Sequence, residues 1–227
     1  MKMRTVFLAG GASRISALMM TLFATLIPAL GQRFDVTPLF GGRFGGTIEL
    51  EQQGVPNFES TLANSVAYGV AAGLRIDGED CNSCNLIEFR WMRQNTHLGL
   101  KQDPLVPTPF TVSTFRPAVT LDHFLGDFTH EWDLSEGGQI KTFVTGTLGA
   151  ARMDTPAGSG VRFVFGFGTG VKLFPRRHWG IRFQVEYLPT VMHAELQRVT
   201  CIQGCVVALN GGVMNQFQVT VGPTFRF

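Results

Sequence analysis

Beyond residue 31 the chain contains no long apolar run, although 44% of its 227 residues are hydrophobic and 20 of them are Phe. A membrane-spanning helix needs about 20 consecutive apolar residues, so this part of the chain is not a helical membrane protein. The formal net charge is only +2, and the Lys and Arg residues are scattered, which argues against a nucleic-acid-binding surface. No linker, charge run or low-complexity stretch divides this part of the chain, which indicates a single domain.

The one apolar run lies near the start and is typical of a secretory signal. Lys2 and Arg4 precede an apolar stretch at residues 15–27, and small residues follow at positions 29 and 31. This pattern predicts a signal peptide over residues 1–31 that is cleaved before Gln32. A membrane anchor is the alternative, but the run is shorter than the roughly 20 residues that a spanning helix needs. The predicted mature domain is residues 32–227.

Apolar residues alternate with polar ones, most clearly at residues 216–227. Odd positions there carry Phe, Val, Val, Pro, Phe and Phe, while even positions carry Gln, Gln, Thr, Gly, Thr and Arg. Side chains of a strand alternate between two faces, so one face of this segment is wholly apolar. A soluble sandwich would bury that face in a core. Behind a secretory leader, however, the pattern favours a lipid-facing strand of a closed barrel, because open sheets cannot satisfy their backbone in lipid.

The same alternation recurs in eight segments: residues 34–48, 64–76, 86–98, 114–133, 140–152, 161–174, 179–187 and 216–227. The predicted fold is all-β, a closed antiparallel up-and-down transmembrane β-barrel of eight strands. An even number of strands places both termini on the periplasmic side. Connections 49–60, 103–109, 154–159 and 199–212 are then extracellular, and 77–85, 135–138 and 175–178 are periplasmic. The connection 77–85 is long for a periplasmic turn, and its length fits a count of eight strands less well than the other connections do.

The fourth segment has an inconsistent alternation. Val119 and Leu121 share one parity, whereas Phe124, Phe128 and Trp132 share the other. This change of parity predicts a β-bulge near residue 123.

The chain resembles the eight-stranded outer-membrane β-barrel family, the small porin-like barrels similar to the OmpA transmembrane domain and OmpX. The resemblance rests on residues 34–46 (FDVTPLFGGRFGG), 86–91 (LIEFRW), 147–150 (TLGA) and 224–227 (TFRF). It implies the outer membrane of a Gram-negative-type bacterium. It also implies that Phe225 and Phe227 act as the assembly signal for the barrel-insertion machinery. The other partners it implies are periplasmic chaperones, outer-membrane lipid and lipopolysaccharide.

Charged residues recur on the predicted inner face, and they are the candidate functional site. An eight-stranded barrel has a lumen only just wide enough for side chains, and an unpaired buried charge is costly. The charges are therefore expected to pair and to fill the lumen; the alternative is a narrow porin-like channel with an excess of basic residues. The predicted lumen charge network is Asp35, Arg43, Arg75, Glu88, Arg90, Arg162, Lys172, Arg182 and Glu186.

The four cysteines form two local pairs, Cys81 with Cys84 and Cys201 with Cys205. The predicted topology places these pairs on opposite sides of the membrane, and an oxidising compartment favours two short-range disulfides. If both pairs lie on one face instead, cross-bridging or a Cys₄ metal site becomes possible.

The sequence shows no catalytic constellation. A serine hydrolase needs a Ser beside a His, with a third group behind the His. His123 follows Asp122, but adjacent residues of a strand point to opposite faces, and no Ser lies beside them in the pattern. We therefore expect no enzyme, no cofactor and no metal, and a structural or surface-interaction role.

Overall fold

The segments with alternating apolar and polar residues form β-strands in the computed structural model. The structure describes residues 34–52, 55–77, 83–100, 118–135, 137–156, 158–192, 199–200, 206–209 and 212–227. The predicted signal peptide and the predicted loop 103–109 lie outside these residues. Within them, no helix is long and apolar enough to cross a membrane. The strands are β1 (Phe34–Gly45), β2 (Thr47–Gln52), β3 (Val55–Leu62), β4 (Ser65–Arg75), β5 (Ser83–Leu100), β6 (Ala118–Asp133), β7 (Ile140–Thr155), β8 (Gly158–Arg176), β9 (Trp179–Tyr187), β10 (Thr190–Met192), β11 (Val199–Thr200), β12 (Val206–Leu209), β13 (Gly212–Met214) and β14 (Gln216–Arg226).

Eight of the described strands form a closed antiparallel barrel in the order β1, β4, β5, β6, β7, β8, β9 and β14. Strand β14 returns to β1, with Val36 opposite Phe225 and Phe44 opposite Phe217. Closure leaves no unpaired edge among the barrel strands, which is the condition for a sheet to exist in lipid. The predicted fold class is confirmed.

The two ends of the barrel differ. Phe34 and Phe227 exchange backbone hydrogen bonds of 3.2 and 2.9 Å, so both ends of the barrel chain lie together. The connections β4–β5, β6–β7 and β8–β9 lie at this same end, which we call the turn end. The opposite end, which we call the loop end, carries the β2–β3 hairpin and the connections β5–β6, β7–β8 and β9–β14.

The alternation gives the barrel an apolar outer wall and a largely polar interior. Phe183 is 48% exposed on the wall, whereas its neighbour Gln184 is 1% exposed inside. Aromatic residues border the wall, with Trp179 near the turn end and Tyr187 near the loop end of the nine-residue strand β9. That separation is about 26 Å along the strand and about 20 Å along the barrel axis at a tilt of ~40°. The apolar band therefore approaches the ~25 Å that a transmembrane barrel presents to lipid.

The predicted β-bulge near residue 123 is wrong. Strand β6 keeps one register with β5 and one with β7 along its whole length. Val119 and Leu121 are only 1% exposed and lie on the same inward parity as His123. The bulge was predicted because apolar residues were expected to face lipid, but at the loop end of this barrel some of them face the lumen.

Two of the predicted connections contain strands. Residues 49–60 belong mostly to the hairpin of β2 and β3, which pair from Thr47 opposite Thr61 onward. Residues 199–212 contain β11 and β12, and β12 pairs with β2 through Ala208 opposite Glu51. The sheet therefore continues beyond the barrel at the loop end.

The wall assignment is testable at two adjacent residues of β9. Phe183→Asp places a carboxylate against lipid, so we expect it to impair insertion. A Lys or Arg on the lipid face at mid-membrane destabilises a barrel by about 2–4 kcal/mol, and an Asp also destabilises it, by less. Gln184→Asp is the matched control, since Gln184 faces inward and accepts a 2.8 Å hydrogen bond from Arg182 Nε. The folded fraction after refolding into lipid vesicles, measured by heat-modifiable gel mobility, compares the two. Equal losses would contradict the assignment of faces.

Candidate functional site

The nine residues of the predicted lumen network are all buried in the interior, at 7% exposure or less. Seven of them lie between the turn end and the middle of the lumen. The eighth, Arg43, is joined to that group through Gln218 and Glu186. Arg162 is nearer the loop end on β8, where its Nη1 donates to the carbonyl oxygen of Val161 at 3.1 Å.

Two arginine–carboxylate pairs cross the lumen between β5 and β9. Three strands separate β5 from β9 in each direction around the barrel, so the two strands lie opposite each other. Arg90 donates from both terminal nitrogens to Glu186, at 2.5 and 2.6 Å. Arg182 donates in the same way to Glu88, at 2.7 and 2.9 Å. These two pairs, which we call the cross-lumen pairs, bridge the lumen along its diameter.

A second group of charges lies closer to the turn end around Lys172. Its Nζ is 3.5 Å from Asp35 Oδ2, and it also contacts Glu131. Arg75 lies 3.8 Å from the same oxygen of Asp35 and 4.0 Å from Glu131. Because each carboxylate is shared by two or more cations, these residues form one network rather than separate pairs.

Sequence reasoning missed two acids of β6, Asp127 and Glu131. Asp127 Oδ2 lies 3.1 Å from Arg90 Nε, and Asp127 accepts a 2.6 Å hydrogen bond from Thr147. The predicted network had six basic and three acidic residues; these two raise the acids to five. The alternation of Phe124, Phe128 and Trp132 was the signal that placed residues 127 and 131 inside, but the change of parity obscured it.

Polar side chains surround Arg43 next to the cross-lumen pairs. Arg43 Nε donates to Gln218 Oε1 at 2.8 Å, and Arg43 Nη1 lies 2.9 Å from the ring nitrogens of His123. Gln218 in turn donates to Glu186 at 3.2 Å. Arg43 is thus joined to the charged network through an amide. His123 is a satisfied interior residue.

Toward the loop end the interior contains apolar residues beside buried polar ones such as Gln94, Thr96 and Gln216. One buried group consists of Leu125, Ala151, Val164 and Leu188. Further toward the loop end lie the buried residues Val119, Leu121, Met153, Met192 and Met214. We call these nine residues the apolar cap. Arg162 of the charged network lies opposite Ala151 of the cap, so apolar and polar side chains share this part of the lumen.

The remaining predicted site residues are only partly described. Cys84 is buried and disulfide-bonded. The other three cysteines, its partner among them, lie outside the described residues, so the two pairings stay predictions. Phe225 and Phe227 are exposed on the outer wall, and their role in assembly also stays a prediction.

The fold and the apolar wall define an integral outer-membrane β-barrel protein of the eight-stranded type. The chain matches no model of a known protein family and no curated protein by sequence. Among solved structures it is similar to Neisserial surface protein A, at 10% identity and a TM-score of 0.51, over 86% of this chain and 97% of that one. It is also similar to the outer-membrane protein AlkL in lipid bilayers, at 12% identity and a TM-score of 0.50, over 86% and 90% of the two chains. At this identity the likeness concerns the fold.

The cross-lumen pair Glu88–Arg182 predicts a large effect on stability. Glu88→Ala removes the carboxylate that faces both Arg182 and Lys172, so two buried cations lose a partner. We expect a loss of about 3–5 kcal/mol in the free energy of unfolding, measured by urea titration in lipid vesicles. The control is Asp154→Ala, which breaks the solvent-exposed pair with Arg152 and is expected to cost about 1 kcal/mol or less. A similar small loss for both variants would contradict the role given to Glu88.

Proposed function

We propose that this protein is a non-conducting outer-membrane barrel with a structural or surface-interaction role. Its filled lumen serves as a rigid support, and its contacts with the surroundings are made at the loop end. The observation that carries the proposal is the pair of bidentate arginine–carboxylate contacts across the diameter of the lumen.

The charged network supports a closed lumen on energetic grounds. Arg90, Arg182, Glu88 and Glu186 are each 2% exposed or less. A solute that passed this layer would have to separate at least one of the pairs and leave a buried charge without its partner, at a cost of about 3–5 kcal/mol. It would then also have to pass the buried side chains of the apolar cap and the polar residues beside them.

The loop end supports the surface role because several strands extend past the apolar band. Beyond Trp91 the outward positions of β5 turn polar: Arg93 forms a two-fold 2.7 Å contact with Asp122. Strand β3 pairs with the last residues of β5, Leu62 opposite Leu98, and this places the β2–β3 hairpin beyond the membrane wall. Such a projecting sheet provides a surface for a partner outside the lipid. Of the two similar structures, one is named a surface protein.

The alternative is a narrow porin-like channel, and current through single molecules distinguishes the two. The refolded mature chain is inserted into a planar bilayer, and its folded state is established by heat-modifiable mobility on a gel. We expect no discrete conductance steps, while a known porin added to the same bilayer gives them. Reproducible steps from the folded protein would overturn the proposal and would make Arg90 and Arg182 residues of a pore.

A further inference from the structure

A chain of hydrogen bonds joins three polar residues on the outer wall at the turn end to Asp77, which follows the end of β4. The hydroxyl oxygen of Ser83 lies 3.0 Å from Nε2 of His130. Nδ1 of the same ring lies 2.8 Å from Oδ1 of Asn85. Nδ2 of Asn85 donates to Oδ2 of Asp77 at 3.0 Å. A Ser, a His and an amide or carboxylate in this order form the arrangement that hydrolases use to activate a serine nucleophile.

The pairing of β5 with β6 creates this arrangement. Asn85 lies opposite His130, and Ser83 lies opposite Trp132. Between Ser83 and Asn85, the buried and disulfide-bonded Cys84 faces inward. Because side chains alternate along a strand, Ser83 and Asn85 both point outward toward the same ring.

The hydrogen bonds also determine which nitrogen of His130 carries the proton. A carboxylate only accepts hydrogen bonds, so Asp77 requires the NH₂ group of Asn85 to point at it. The oxygen of Asn85 therefore faces His130 and accepts a hydrogen bond from the N–H group at Nδ1. In the neutral ring Nε2 is then left with a free lone pair, directed at the hydroxyl of Ser83. This is the tautomer in which a histidine acts as a general base toward serine.

We propose that Ser83, His130 and Asn85 form a hydrolytic site that cleaves ester-linked lipids in the membrane leaflet at the turn end. The Ser83 oxygen attacks the ester carbonyl carbon while its proton passes to Nε2 of His130. The carbonyl carbon–alkoxy oxygen bond breaks, the alcohol leaves with that proton, and an acyl-serine remains. Water, deprotonated by His130, then releases the acyl group as a free fatty acid and restores the Ser83 hydroxyl.

The position of the site on the wall indicates a lipid substrate. Ile87 and Phe128, the next outward residues toward the middle of the membrane, are 57% and 55% exposed, so acyl chains pack against them. Trp132, whose ring lies 5.6 Å from that of His130, belongs to the aromatic border. Tryptophan is enriched at the level of the lipid headgroups. An ester bond of a membrane lipid therefore lies at the depth of Ser83, which is itself exposed.

Asn85 and Asp77 act as positioning residues. They set the tautomer and orientation of His130 without touching the ester, so their loss should lower kcat and leave KM within about twofold. The inference does not rest on the closed lumen, since Ser83, His130 and Asn85 lie at outward positions of β5 and β6.

The direct test is covalent labelling with a fluorophosphonate, which reacts only with activated serines. The folded mature protein in detergent micelles is treated with the probe, and the modified residue is found by peptide mass spectrometry. We expect one adduct, on Ser83, and a labelling rate reduced by about 100-fold or more in His130→Ala, since a positioned general base contributes about 10²–10⁴. Ser135→Ala, a turn-end serine that accepts a backbone hydrogen bond from Ile140, is the matched control and should label at the wild-type rate.

A second measurement follows free fatty acid released from phosphatidylethanolamine vesicles that contain the protein. We expect release by the wild type and only background release by Ser83→Ala, which removes a single exposed hydroxyl and keeps the heat-modifiable mobility of the folded barrel. An unmodified Ser83 under excess probe, a labelling rate that does not depend on His130, or equal release by Ser83→Ala and wild type would each overturn the inference. None of these outcomes bears on the conductance of the lumen.

Discussion

The small diameter of an eight-stranded barrel is the constraint on which the rest of this structure depends. Such a lumen holds side chains and little else, so every charge that points inward must find a partner inside. Arg90 and Arg182 meet this requirement by reaching across the diameter to Glu186 and Glu88. The planar guanidinium matches a carboxylate at two points, which explains why arginine rather than lysine makes both crossings. Lys172, a point charge, instead lies among several carboxylates near the turn end.

The same constraint explains how far the sequence alone predicted the molecule. A period of two, sustained over eight segments, was sufficient for the closed barrel and for the inward placement of residues such as Lys172 and Arg182. It failed at β6 because the rule that apolar residues face lipid does not hold for Val119 and Leu121, which fill the apolar cap. Once the faces of β6 were obscured, Asp127 and Glu131 were lost from the predicted network, and the lumen appeared more basic than it is.

The alternation of one strand does not show which residues of a neighbouring strand it contacts, because those contacts depend on the register between the two strands. Ser83 and His130 are 47 positions apart, and nothing in the alternation of either segment relates them. A shift of one residue between β5 and β6 would send one of the two side chains to the opposite face. The expectation that no serine lies beside a histidine was drawn from neighbours in sequence, around His123. The relevant neighbours are set by the ladder that pairs Asn85 with His130.

A filled lumen leaves the wall and the two ends as the places where this barrel meets other molecules, and the two ends are built differently. At the loop end the outward polar residues include ion pairs, such as Arg93 with Asp122, which suit a position outside the apolar band. At the turn end the Ser83, His130 and Asn85 side chains satisfy one another and end on Asp77, so they can lie at the lipid border without an unpaired polar group. The backbone pairing of β14 with β1 closes the barrel, and the cross-lumen pairs fill its interior. Chemistry at the turn end is therefore compatible with a scaffold whose stability comes from the inside.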